Sequence, residues 1–160
     1  PYGDKSEAAL IARLPGLLAT LEKMTYPDCI VIACNTASTT ALSAIRAAVK
    51  VPVIGVVPAI KPAAQMSRTK TIGVLGTPGT VRRKYVDSLI DQFADDCQVV
   101  LQGSVNLVDI AERKLAGEEV SLASIRHELA PMFSGKRGAD IDAVVLACTH
   151  FPLLRWVHFE

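Results

Sequence analysis

Two cysteines stand in nearly the same local setting. Ile30-Val31-Ile32-Ala33-Cys34-Asn35-Thr36 echoes Val144-Val145-Leu146-Ala147-Cys148-Thr149-His150. Each is an apolar run of strand length, then Ala-Cys, then two hydrogen-bonding residues where the next element should begin. A thiol placed there lies at the carboxyl end of a strand, beside backbone N–H groups that favour an anion. Two such half-sites facing each other suit the inversion of a carbon stereocentre next to a carboxylate. That reaction takes a proton from one face of the carbon and returns one to the other, and a single base does not easily reach both. An unperturbed thiol, with a pKa of about 8.5, can be thiolate or thiol near neutrality, as general acid/base work requires. Backbone amides and the Asn and Thr side chains would hold the carboxylates. Cys29, which opens a strand-like run, and Cys97, in an acidic stretch, fit ordinary core thiols. Neither Cys34 nor Cys148 has Cys-x-x-Cys or His-x-x-His spacing nearby, so a metal centre is disfavoured. No Gly-x-Gly-x-x-Gly fingerprint or Walker loop argues for a nucleotide.

The elements that would position these thiols follow from hydrophobic spacing. Residues 6–23 carry Leu10, Ile11, Leu14, Leu17, Leu18 and Leu21 at helical spacing, with Pro15 marking an interruption. Residues 28–33, 51–57, 71–75, 97–101 and 142–147 read as strands. Residues 36–49, 105–115 and 122–133 read as helices, and the turn at 76–80 leads into another that runs to about residue 95. Strands apolar throughout, alternating with helix-sized segments, indicate α/β architecture with parallel sheets covered on both faces. Ligands of such sheets bind beyond the carboxyl ends of the strands. The seam between units is expected at 58–70, giving a first unit over 1–60 and a second over 61–160.

Composition narrows the partner. The 160 residues are 50% hydrophobic and 21% charged, enough for a buried core and unlike a disordered chain. Lys plus Arg number 17 against 16 Asp plus Glu, a net charge of +1. That balance offers no electrostatic footprint for nucleic acid or an anionic membrane, so a small molecule is the expected partner. No apolar run approaches the roughly 18 residues of a membrane span, and no signal peptide opens the chain. Four cysteines without the density of a secreted scaffold read as free thiols in a reducing cytoplasm.

These motifs resemble those of glutamate racemases in the aspartate/glutamate racemase superfamily. The likeness rests on Pro1-Tyr2-Gly3-Asp4-Lys5-Ser6, Ala33-Cys34-Asn35-Thr36-Ala37-Ser38 and Ala147-Cys148-Thr149-His150-Phe151-Pro152-Leu153-Leu154. Val56-Val57-Pro58-Ala59-Ile60-Lys61-Pro62-Ala63 and Gly76-Thr77-Pro78-Gly79-Thr80 also fit. The resemblance implies two pseudo-symmetric parallel-sheet α/β domains with the active site in the cleft between them. It implies cofactor-independent interconversion of L- and D-glutamate, with D-glutamate passing to peptidoglycan synthesis. Cys34 resembles the base acting on D-glutamate and Cys148 the one acting on L-glutamate, assisted by Glu112 and His150. Tyr2, Gly3, Asn35, Thr36, Thr149 and His150 resemble substrate-binding positions, and Thr77 and Thr80 are further carboxylate contacts. The family's opening Asp-Ser-Gly segment is absent and its closing elements do not follow Leu154. The first domain is therefore expected to be incomplete and this chain alone a poor enzyme. A racemase for aspartate or a hydantoin, and a non-catalytic fragment, stand as alternatives. A homodimer is left open.

Overall fold

The structure is a computed structural model that describes residues 5–155; Tyr2 and Gly3 lie outside the described residues. Helix α1 (Glu7–Thr25) begins at Ser6, whose hydroxyl accepts from the Ala9 N–H. It continues unbroken through Pro15, where the sequence pattern predicts an interruption. The reason is packing. Leu10, Leu14 and Leu18 form one buried stripe against Ala37, Ala41 and Ile45. Burying three leucines, at about 2 kcal/mol each, outweighs the roughly 3 kcal/mol cost of an interior proline.

Strand β1 (Ile30–Ile32), helix α2 (Asn35–Ala48) and strand β2 (Val53–Gly55) follow. The two strands pair in parallel, with Ile30 opposite Val53 and Ile32 opposite Gly55. Both are shorter than the apolar runs that contain them. One face of this pair is open, with Val31 and Ile54 exposed, so the expectation of coverage on both faces does not hold here.

Helix α3 (Ile60–Met66) occupies the segment read as a seam. Pro62 sits in its first turn, where a missing N–H costs little. Ile60, Ala63 and Ala64 are buried in the core of a second sheet. That sheet contains β3 (Thr71–Gly76), β4 (Gln98–Gly103) and β5 (Ala143–Ala147) in the order β4-β3-β5, all parallel. Every residue of β3 is buried. Ile72 and Val74 face α3 and helix α5 (Lys84–Phe93). Leu75 faces helices α6 (Asn106–Leu115) and α7 (Leu122–Phe133), as strand alternation requires. Gly73 lets Met132 lie against the strand, since a Cβ there would stand 2.8 Å from the Met132 sulfur.

Two further differences concern helices. The segment after β3 is a short α4 (Pro78–Val81) and then α5, not one continuous helix. Helix α8 (Gly135–Ala139) had no periodic signal because five residues are too few to show one. Among the described residues no helix is long and apolar enough to cross a membrane.

Candidate active site

Parallel pairing places the candidate residues together at strand ends. In the second sheet Gly76 is in register with Ala147. Thr77 and Cys148, the next residues, therefore leave adjacent strands side by side. Cys34 follows β1 by two residues and is the N-cap of α2, its sulfur accepting from the Ala37 N–H at 3.5 Å. Ser38, one turn on, donates its hydroxyl to the Ile32 carbonyl and accepts from the Val56 N–H, both at 3.1 Å. It pins the cysteine turn to the ends of both short strands. Nothing in the sequence marks Ser38 beyond its place four residues after Cys34.

The two cysteine turns touch. Thr149 Oγ1 donates to the Ala33 carbonyl at 3.2 Å, joining residues that adjoin Cys148 and Cys34. Cys148 is buried and its thiol is pushed above its ordinary value, chiefly by desolvation. The electrostatic influence of Cys34 adds to the rise, whereas the His150 and Phe151 N–H groups oppose it. Cys148 Sγ lies 3.7 Å from His150 Nδ1. The opposite ring nitrogen, Nε2, lies 2.6 Å from Glu112 Oε1 on α6. A carboxylate at Nε2 favours the proton there and orients the ring, so Nδ1 can exchange a proton with the sulfur. The Glu112 side chain is half exposed, yet it is held by this contact.

Thr36, Thr77 and Thr80 form a ring of hydroxyls at 3.0, 3.1 and 3.3 Å. Three hydroxyl protons supply three hydrogen bonds, so binding a carboxylate there requires one proton to turn out of the ring. Thr80 is fully buried, and Thr36 and Thr77 are nearly so. Beside them Asn35 is 6% exposed and its Oδ1 has no hydrogen-bond partner. A buried acceptor without a donor costs about 1–3 kcal/mol and is ready to receive an N–H. Cys29 and Cys97 are also free thiols, but Cys29 is exposed and Cys97 only half-buried, so neither is the core thiol its sequence setting suggests. Cys97 bonds to the neighbouring Asp96 and is raised by burial and that contact.

The fold and the site define an α/β protein in which two parallel sheets each deliver a cysteine turn to a common seam. Residues 2–158 match the Asp/Glu/hydantoin racemase family. The chain belongs to that family. It is 53% identical over 156 residues to a glutamate racemase of Pasteurella multocida, covering 97% of this chain and 56% of that protein. It is 50% identical over 155 residues to a glutamate racemase of Shewanella sp. (strain MR-4), with the same coverage. Among solved structures it resembles Escherichia coli glutamate racemase in complex with L-glutamate and the activator UDP-MurNAc-Ala. That match has a TM-score of 0.90 and 46% identity, and covers 97% of this chain and 57% of that one. A glutamate racemase isoform of Bacillus anthracis matches with a TM-score of 0.77 and 26% identity, at the same coverage. The chain thus spans about half the length of the curated relatives it matches.

Proposed function

We propose that this chain carries both catalytic thiols of a cofactor-independent glutamate racemase. The observation that carries the reading is the Thr149–Ala33 hydrogen bond, which ties the two cysteine turns together across the sheets. Cys34, as thiolate, takes the α-proton of D-glutamate. Cys148, as thiol, gives its proton to the opposite face of the α-carbon and yields L-glutamate; the roles reverse in the other direction. His150, held by Glu112, passes a proton between Cys148 and solvent, restoring the thiol after the D-to-L step and the thiolate after the reverse one. The free Oδ1 of Asn35 suits the substrate ammonium. Thr36, Thr77, Thr80, Thr149 and the N-terminal amides of α2 suit its carboxylates, with Tyr2 and Gly3 as further binding residues.

On this reading the chain divides into residues 1–60 and 61–160, one thiol from each. The apolar cores support a boundary near this place, since the cluster from Leu10 to Val53 belongs to the first pair of strands, although Ile60 already packs with the second sheet. The product supplies peptidoglycan synthesis in the cytoplasm.

The test is incubation of either glutamate enantiomer with the protein in heavy water, following α-deuteration and enantiomer ratio. Cys34→Ser and Cys148→Ser are each expected to slow racemisation at least about 100-fold, the scale of a lost general acid or base. Undiminished racemisation by Cys148→Ser would remove the two-base assignment. Faster turnover of aspartate than of glutamate would remove the substrate assignment.

A further inference from the structure

Cys148, Thr149 and His150 lead directly into a 3-10 helix, Phe151–Leu154, whose N-cap is His150. The orientation of that single turn therefore sets where the imidazole points. The Phe151, Leu153 and Arg155 N–H groups donate to the Cys148, His150 and Pro152 carbonyls. Carbonyls at the end of a helix lack partners within it. Here the Leu153 carbonyl accepts from Lys114 Nζ at 2.7 Å, a cationic side chain capping a helix C-terminus.

Lys114 lies on α6, two residues beyond Glu112. Helical residues step by about 100°, so the two side chains leave the helix about 200° apart. Glu112 holds the start of the turn through His150, and Lys114 holds its end. A single contact would be a pivot about which the turn could rock. Two contacts from diverging directions fix its tilt against α6.

We propose that Lys114 is a positioning residue for the Cys148 half of the site, locking the 3-10 helix to α6 so that His150 stays aimed at the Cys148 sulfur. The inference rests on the two-thiol reading for its functional meaning. The Nδ1–Sγ separation of 3.7 Å is already near the limit for a hydrogen bond to sulfur, so a small rocking of the turn would open it. The titratable groups facing Cys148 are His150 on its own turn, Glu112 acting through His150 from α6, and Cys34 on the opposing turn.

The test needs no turnover. The purified chain is alkylated with iodoacetamide across a pH series, and modification of each cysteine is read separately by peptide mass spectrometry. In Lys114→Met, Cys148 alkylation at pH 7 is expected to fall about three- to tenfold, with its midpoint moved to higher pH, because the imidazolium formed when Nδ1 takes the thiol proton is then poorly placed to stabilise the thiolate. Cys34 alkylation is expected to be unchanged. Lys114→Arg keeps a cationic donor and is expected to restore the Cys148 profile. Thermal unfolding of Lys114→Met is expected within a few degrees of the unsubstituted chain, since an exposed charged contact contributes little to stability.

Glu112→Gln is the reference and is also expected to raise the Cys148 midpoint. If Glu112→Gln moves the Cys148 profile and Lys114→Met does not, Lys114 has no positioning role and the Glu112–His150 relay stands. If neither moves it, both fall. Equal changes at Cys34 and Cys148 in Lys114→Met would mean general loosening and would also overturn the proposal.

Discussion

Thr80→Val removes one corner of the hydroxyl ring while keeping the shape of the side chain. In the ring, Thr80 makes two of three hydrogen bonds, at 3.0 Å to Thr36 and 3.1 Å to Thr77. What remains is the longer Thr36–Thr77 contact at 3.3 Å, which uses one proton and leaves the other without a partner. Two bonds at about 1 kcal/mol each, less about 0.8 kcal/mol regained by the added methyl, give a loss of about 1 kcal/mol. The stranded donor, at about 1–3 kcal/mol, raises the expected loss to about 2–4 kcal/mol. With a urea m-value of about 2 kcal/mol/M, the unfolding midpoint should fall by about 1–2 M at unchanged slope. A double-mutant cycle with Thr36→Val sharpens the test. Each single substitution deletes two ring bonds and the double deletes three, so the double should fall short of additivity by about one bond, or about 1 kcal/mol. Unchanged stability in Thr80→Val, or strict additivity in the cycle, would refute the ring.

Two further substitutions test the scaffold. A Cβ at Gly138 would stand 2.4 Å from the Phe133 carbonyl carbon and 2.7 Å from the Met132 oxygen, backbone atoms that cannot rotate away. Gly138→Ala should therefore cost about 3 kcal/mol in urea unfolding, and an unshifted midpoint would contradict that packing. Asp142 accepts from the Ser67 hydroxyl at 2.6 Å and from the Arg68 and Thr69 N–H groups at 2.7 and 3.1 Å. These contacts, the Ser67 bond foremost, hold its carboxyl down to about 2. A carboxyl depressed by folding stabilises fully above its ordinary value of about 3.9, and loses that contribution as pH falls toward 2. Asp142→Asn should lower Tm at pH 7 and converge on the unsubstituted chain near pH 2. An equal deficit at both pH values would exclude the carboxylate as the cause.

The local patterns were the legible ones. β3, α6 and α7 follow from apolar runs and helical spacing because each segment is long enough to show its period. Cys34 and Cys148 stand out because Ala-Cys at the end of an apolar strand is a short, repeated phrase. What sequence could not show depends on distant partners. Thr36 meets Thr77 and Thr80 across 41 and 44 residues, and no spacing rule links them. Pro15 argues for a break in α1, and only the stripe packed on α2 decides otherwise. The break between α4 and α5 is likewise tertiary, since Thr77 and Thr80 turn inward to Thr36 at the point where a continuous helix would carry the chain away.

The two thiols sit in unequal settings despite their sequence echo. Cys34 starts a helix of 14 residues, whose aligned peptide dipoles favour negative charge at its first turn. Cys148 leads into a 3-10 helix of four residues, which aligns too few peptides to do the same. Its half-site has side chains instead: His150 beside the sulfur, Glu112 behind the imidazole and Lys114 at the end of the turn. Burial nevertheless dominates and keeps the Cys148 thiol above its ordinary value, so at neutral pH it rests protonated. In the two-base scheme a resting thiol at Cys148 is the proton donor of the D-to-L direction. On that reading a resting Cys148 thiol is ready to protonate a carbon from which Cys34 has taken a proton, and the relay through Glu112 matters most when Cys148 must instead accept one.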